Sequence, residues 1–333
     1  MLVSLSAGSA ARISSTFCSR WFISAVSLLL LAVVIPSRIS LGQSESGSLV
    51  DGGQDPRLQS LSEPANLPRK TLFQWSYGTS FGGGAPLDEP LVSDRPNFTQ
   101  SSTTVGRGVS QFEMGYTYIQ DDKPGVDADH ETAVTSHRYP ELLARLGLFA
   151  DWFELELGCN YAHDLPGESV LPGLHGGQDI YVAAAIAVTP HEGILPEMAL
   201  IPQVFLPTGA EEFTADEFLP GLNWVYSWEV TDRVSLGGSS QANRAVDSDT
   251  SEAYTLLAQS FCVQVELTEH LGSFYEWYVF VPDGADSEQT KHFLDSGFTI
   301  PVTLNLQFDV RAGFSLSDSG DDFYTGAGLS VRL

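Results

Sequence analysis

Few residues in this chain have types and spacing that suggest chemistry. Gly78-Thr79-Ser80-Phe81-Gly82 has the G-x-S-x-G spacing of a nucleophile elbow, where a strand-to-helix turn lifts a serine above a sheet. Here two more glycines, an alanine and Pro86 follow, which start no helix, so the match reads as chance. The histidines are His130, His137, His163, His175, His191, His270 and His292. Almost all fall in loop-like stretches or at the ends of apolar runs, and none is spaced with a serine as a hydrolytic triad requires. Asn97-Phe98-Thr99 fits the glycosylation pattern, a three-letter match of little specificity. Asp121, Asp122, Asp127 and Asp129 cluster, as do Asp318, Asp321 and Asp322. Such oxygen ligands suit calcium or magnesium, but no D-x-D-x-D-G loop accompanies them, and solvated surface is the plainer reading. Cys18, Cys159 and Cys262 are too few for a disulfide scaffold, and no His or Cys group has ligand spacing. No cofactor and no metal is expected, and the chain does not read as an enzyme.

Composition narrows the classes further. The formal net charge is −26, which excludes a basic footprint for nucleic acid. It also opposes docking on an anionic membrane surface. Yet only 17% of residues are charged and 43% are hydrophobic, with 31 glycines, which does not describe a disordered acidic chain.

The first segment reads as an export signal. Residues 21–35 are almost unbrokenly apolar, Arg12 and Arg20 precede them, and Ser40 and Gly42 follow as a small-residue cleavage site. The apolar run is shorter than the ~20 residues that span a bilayer as a helix. Residues 1–42 are therefore expected to be a signal peptide, with an uncleaved anchor as the alternative. Residues 43–108, rich in Ser, Gly, Pro and Gln, have no sustained period and are expected to form a mostly extended periplasmic linker.

From 109 to 333 the period is two. Phe112, Met114, Tyr116 and Tyr118 alternate with Gln111, Glu113, Gly115 and Thr117. Phe153, Leu155, Leu157, Cys159 and Tyr161 alternate with Glu154, Glu156, Gly158 and Asn160. The same holds for Leu222, Trp224, Tyr226 and Trp228, and for Leu306, Phe308, Val310, Ala312 and Phe314. Successive strand side chains point to opposite faces, so each run has an apolar and a polar side. About twelve such runs are expected, beginning near 109, 138, 152, 179, 196, 220, 233, 253, 271, 292, 306 and 323. Short connections alternate with long acidic ones such as QDDKPGVDADHETAVTS and PTGAEEFTADEF. Tight turns at one end, long polar loops at the other and an even strand count describe an all-β, closed, antiparallel up-and-down transmembrane barrel. Tyr116, Tyr118, Phe153, Tyr161, Trp224, Tyr226, Trp228, Tyr275 and Trp277 fall near run ends, as interface girdles require. The competing fold is a soluble β-sandwich.

Several stretches also carry a family resemblance. Ser93-Asp94-Arg95-Pro96-Asn97-Phe98-Thr99, QFEMGYTY at 111–118, HRYPELLARLGL at 137–148 and VFLPTG at 204–209 are four of them. LPGLNWVYSWEVTDRVSLGG at 219–238, FVPDG at 280–284 and YTGAGLSVRL at 324–333 follow in order. Together, over about 93–333, they resemble the MetA-pathway of phenol degradation family of transporter-like outer-membrane barrels. The resemblance implies an outer-membrane, channel-like barrel associated with aromatic catabolism. It brings no catalytic residues.

Parity along each run then gives a lumen. Inward acids are expected at Glu113, Glu141, Glu154, Glu156, Glu197, Glu229, Glu266, Glu276, Asp295 and Asp309. Inward bases are expected at Arg145, Arg233, Arg311 and Arg332. Acids outnumber bases, and rings of that sign favour cations. Twelve strands leave a narrow, partly filled interior, between barrels packed with side chains and barrels with aqueous channels. Cys159 is expected to face lipid and Cys262 the lumen, so they should not pair. The expected function is passive passage of small neutral or cationic solutes, aromatic compounds among them, across the outer membrane of a Gram-negative-type bacterium. Expected partners are outer-membrane lipid, the solutes and the outer-membrane assembly machinery, with no nucleic acid. The alternatives are a structural or adhesive barrel binding divalent cations through its acidic loops and, more remotely, an outer-membrane hydrolase.

Overall fold

In a computed structural model of the protein, the residues described are 87–124, 131–166, 173–247 and 249–333. The expected signal segment 1–42, the motif at 78–82, and Asp127, Asp129 and His130 lie outside them. Thirteen strands follow in order. They are β1 (Ser110–Pro124), β2 (Glu131–Gly147), β3 (Phe153–Pro166), β4 (Leu174–Gly177) and β5 (Ile180–Thr189). Next come β6 (Glu197–Leu206), β7 (Leu219–Thr231), β8 (Val234–Val246) and β9 (Ala253–Thr268). The last are β10 (Leu271–Asp283), β11 (Lys291–Thr303), β12 (Leu306–Ser315) and β13 (Phe323–Arg332).

Neighbours in sequence pair antiparallel except β4 and β5, β5 pairing with β3 instead, and β1 pairs with β13 from Gln111↔Arg332 to Gln120↔Phe323, which closes the sheet. Closure leaves no row of unpaired backbone groups for lipid to desolvate. β4 is a short addition on β3, above the point where β5 takes over. The fold is therefore the expected closed twelve-stranded barrel, with one extra strand.

Two differences from the sequence reading have physical reasons. β2 begins at Glu131, not near 138, because the β1–β2 hairpin continues to Pro124↔Glu131. Asp121, Asp122 and Lys123 on one strand, and Glu131 and Thr132 on the other, are polar at successive positions, so the alternation is lost there. The inside is also not hydrophilic all round. Tyr181, Ala183, Ala185, Ile201 and Val225 form a buried apolar cluster on the inner face of β5–β7, with Leu143 and Phe205 against it. Elsewhere the expected sidedness holds. Met114, Trp224, Phe261 and Phe314 are exposed on the outer wall, while Gln111, Glu113 and Thr117 are buried inside.

Carboxylates organise the long-loop end. Asp179 accepts backbone N–H groups of Thr208, Gly209 and Ala215 at 2.9–3.1 Å and shapes the loop between β6 and β7. Asp247, just past β8, ties two loops together. It accepts the Ser287 hydroxyl (2.6 Å) and the N–H groups of Asp286 and Ser287 from the β10–β11 loop. It also accepts those of Asp249 and Thr250 in its own loop. These donors, the Ser287 hydroxyl first, hold the Asp247 carboxyl well below the usual carboxylate range. A depressed folded-state value stabilises the clasp above the unfolded value of about 3.9, and the contribution is lost as pH falls further. We expect Asp247→Asn to speed proteolytic cleavage within 247–252 and 284–290 at pH 7. The difference from the parent should narrow as the pH is taken from 4 towards 2; a pH-independent difference would contradict the clasp.

Candidate functional site

The interior is built from two sets of groups. The wall supplies charged side chains because alternate residues of β1–β3, β6 and β10–β13 point inward. The second set comes from the segment ahead of β1. The expected linker 43–108 does not stop outside the barrel: of its described part, 91–105 is mostly buried, and its bonds run to the inner wall. The chain enters where the short turns lie, with Leu91 N–H donating to Leu304 O (2.8 Å) and Arg332 reaching Glu89 O (2.7 Å). It leaves at the same end, where Val105 N–H meets Glu154 and Gly108 N–H donates to Gly147 O (2.8 Å). Between these points it is an inner loop. It lacks the alternation of a strand because its backbone bonds go to side chains of the wall instead of to a neighbouring strand.

Carboxylate after carboxylate of the wall accepts from this loop. Glu113 takes the Ser93 hydroxyl and the N–H groups of Asp94 and Arg95 at 2.9–3.2 Å. Glu276 takes the N–H groups of Phe98 and Thr99 and the Thr99 hydroxyl. Glu156 takes the Gln100 amide (3.3 Å), and Glu197 the Thr103 hydroxyl (3.0 Å). Arg95 spans two walls, donating to Asp309 on β12 (3.3 Å) and Glu141 on β2 (3.1 Å). Its guanidinium lies where a side chain at Gly115 or Gly328 would stand, so those two glycines form its socket.

The wall's own arginines grip the loop's carbonyls. Arg145 is 1% exposed, bonds Glu154 (2.8 Å), and donates to both arms at once, Val92 O (3.0 Å) and Thr103 O (2.7 Å). Arg311 donates to Pro96 O (3.1 Å) and to Thr117 (2.9 Å). Asp94 holds the loop to itself through Ser101 N–H (2.9 Å) and lies 3.4 Å from Arg145.

Most of the expected lumen residues meet here. Glu113, Arg145, Glu154, Glu156, Glu276, Asp295, Asp309, Arg311 and Arg332 are buried inside, and Glu141 and Glu197 are half-buried against the loop. Glu229, Arg233 and Glu266 are not part of this packed interior. They are exposed beside the short turns, because parity fixes a residue's face but not its depth. Asp94, Arg95, Asn97, Phe98, Thr99 and Gln100 were not among the expected site residues. The excess of inward acids over inward bases was the available signal, since buried carboxylates need donors from somewhere. Asn97 is buried, and its amide donates to Thr99 O, so the glycosylation match is not an accessible acceptor. The expected parity of the cysteines holds: Cys262 is buried inside beside Asn97, and Cys159 is half-buried on the outer wall. His137, His163 and His175 stand in a cross-strand row on the outer wall, with Tyr116 Oη 2.9 Å from His137 Nδ1. Among the described residues, no group of three or more His, Cys, Asp or Glu is placed to hold a metal.

Over residues 93–333 the sequence matches the family described as "Putative MetA-pathway of phenol degradation", a span that includes the inner loop as well as the wall. The chain belongs to this family. Among solved structures it is similar to an outer-membrane channel from Pseudomonas putida F1, with a TM-score of 0.53 and 14% identity over 70% of this chain and 98% of that one. It is also similar to the NanC porin, with a TM-score of 0.45 and 9% identity over 67% of this chain and 100% of that one. A KdgM porin structure in complex with disordered oligogalacturonate gives 0.41 and 11% over 66% and 98%. At such identities the likeness is one of fold. No curated protein matches the sequence. The protein is an outer-membrane β-barrel of a family tied to phenol degradation.

Breaking a buried ion pair by removing one partner costs about 3–5 kcal/mol, whereas a surface change usually stays within about 0.5 kcal/mol. Arg145→Met should therefore lower barrel stability by about 3–5 kcal/mol in urea titration. Arg233→Met, at the exposed rim, should be close to neutral. Equal effects would mean that Arg145 does not hold the loop.

Proposed function

We propose that this barrel is a channel for small solutes, neutral or cationic and aromatic compounds among them, and that the inner loop is its stopper. The observation that carries the reading is the division of labour inside. The wall holds the carboxylates, and a loop that meets them only through non-covalent bonds supplies most of their donors. With the loop seated, the interior is packed. With it withdrawn, Glu113, Glu141, Glu156, Glu197, Glu276 and Asp309 would face water, with Arg145 and Arg311 as the nearby counter-charges. That lining is negative, and charged rings of one sign select the opposite sign in the permeating ion. Both arms leave by the short-turn end, so withdrawal needs no strand of the wall to open. The proposal includes export through the signal-like segment 1–42 and insertion by the outer-membrane assembly machinery, with outer-membrane lipid around the exposed aromatic wall.

A single substitution tests it. The Asn97 amide nitrogen lies 3.6 Å from the Cys262 sulfur, so Asn97→Cys places two thiols for a disulfide between loop and wall. In planar bilayers, with Cys159→Ser as background, the reduced protein should conduct with a cation-favouring reversal potential. The oxidised protein should fall to the baseline, and reductant should restore the current. No current in the reduced protein, or the same current in both states, would overturn the stopper.

A further inference from the structure

Phe98 is the only aromatic residue of the inner loop 91–105, and the wall has a fitted place for it. Its ring stacks on Tyr278 at 4.6 Å and 14°, and Tyr278 stacks in turn on Phe293 at 4.9 Å and 13°. Phe280 closes the side edge-on, at 5.4 Å and 88°. Ala258 and Tyr324 complete the buried cluster, with Ile119 packed against it. Every member except Phe98 belongs to the wall. The ring is also placed by backbone bonds, because the N–H groups of Phe98 and Thr99 both end on Glu276. Ring and carboxylate must therefore come free together when the loop leaves.

We propose that this slot is a binding site for one planar aromatic ring of a solute, and that Phe98 is its resident occupant. Solute occupancy rests on the channel reading above, whereas the shape of the slot does not. Tyr278 covers one face of the Phe98 ring and Phe280 meets it edge-on, so the slot offers a flat aromatic floor and an aromatic side wall. A saturated ring is thicker and has no π face to stack, and aromatic pairs favour the offset-stacked and edge-on contacts found here. Enclosed apolar cavities stay dry and take benzene-like ligands. The class expected is therefore a neutral single-ring aromatic compound with small substituents.

Phe98→Ala empties the slot, and Phe98→Leu partly fills it. The reading is the apparent melting temperature of detergent-solubilised protein titrated with benzene, phenol, cyclohexane and cyclohexanol. Benzene and phenol should raise the melting temperature of the alanine variant saturably, as a ligand bound only by the native state does. The saturated rings should raise it less. The leucine variant and the parent should respond weakly to all four. Equal shifts from aromatic and saturated rings, or none, would overturn the slot. Should the alanine variant not fold, the rate of disulfide formation between Cys262 and the thiol introduced by N97C replaces it. Phenol should slow that rate more than cyclohexanol, and equal rates would overturn the slot. Ring binding without a conductance switch would refute the channel alone, and a switch without ring selectivity would refute the slot alone.

Discussion

A carboxylate removed from water must find donors, and this barrel encloses more carboxylates than its own arginines can serve. Burying an unpaired charge costs several kcal/mol or more, so a closed wall with Glu113, Glu156 and Glu276 pointing at a dry centre would not be stable by itself. Either water fills the interior or something else supplies hydrogen-bond donors. Here the chain folds back and supplies them, from peptide N–H groups, hydroxyls, an amide and one guanidinium. The position of the inner loop, the grip of Arg145 on both of its arms, and the glycines that leave room for Arg95 all follow from that requirement.

The wall was legible in the sequence, and the inner loop was not. Alternation works where one face is apolar and the other polar, as in the run from Phe153 to Tyr161, and there it gave strand and sidedness together. It says nothing about β5, where IYVAAAIAVT is apolar on both faces, so the greasy inner sector around Ala183 and Ala185 went unseen. It also fails for 91–105, whose partners are side chains on many different strands and whose main donors are backbone groups. Two signs of the loop were nevertheless present. Inward acids outnumber inward bases, and the family resemblance begins at Ser93, ahead of the first strand at Ser110.

The misplaced charges make the same point from the other side. Glu229, Arg233 and Glu266 have the inward parity of Glu113 and Glu276, yet they are exposed at the rim. Period two assigns a side chain to a face, and only the distance along the strand decides whether that face meets water or the packed centre. The loop end shows another use of acids. Asp179 and Asp247 are among the many acidic residues of the long connections, and both spend their oxygens on backbone N–H groups, which fastens the loops.

Both arms of the inner loop pass through one mouth, so the chain is not threaded from end to end. A finger pushed into a ring can be drawn out again, whereas a rope run through it must be cut or pulled along its whole length. Tension on the chain ahead of Leu87 would meet the Arg332 contacts first, then Leu91, then Glu113, each giving way before the next is loaded. Fastenings arranged in series peel under small forces, while the same number sheared together would resist. On the proposed reading, the inner loop would therefore yield more readily to a directed pull on the chain ahead of Leu87 than to a load shared by all its contacts.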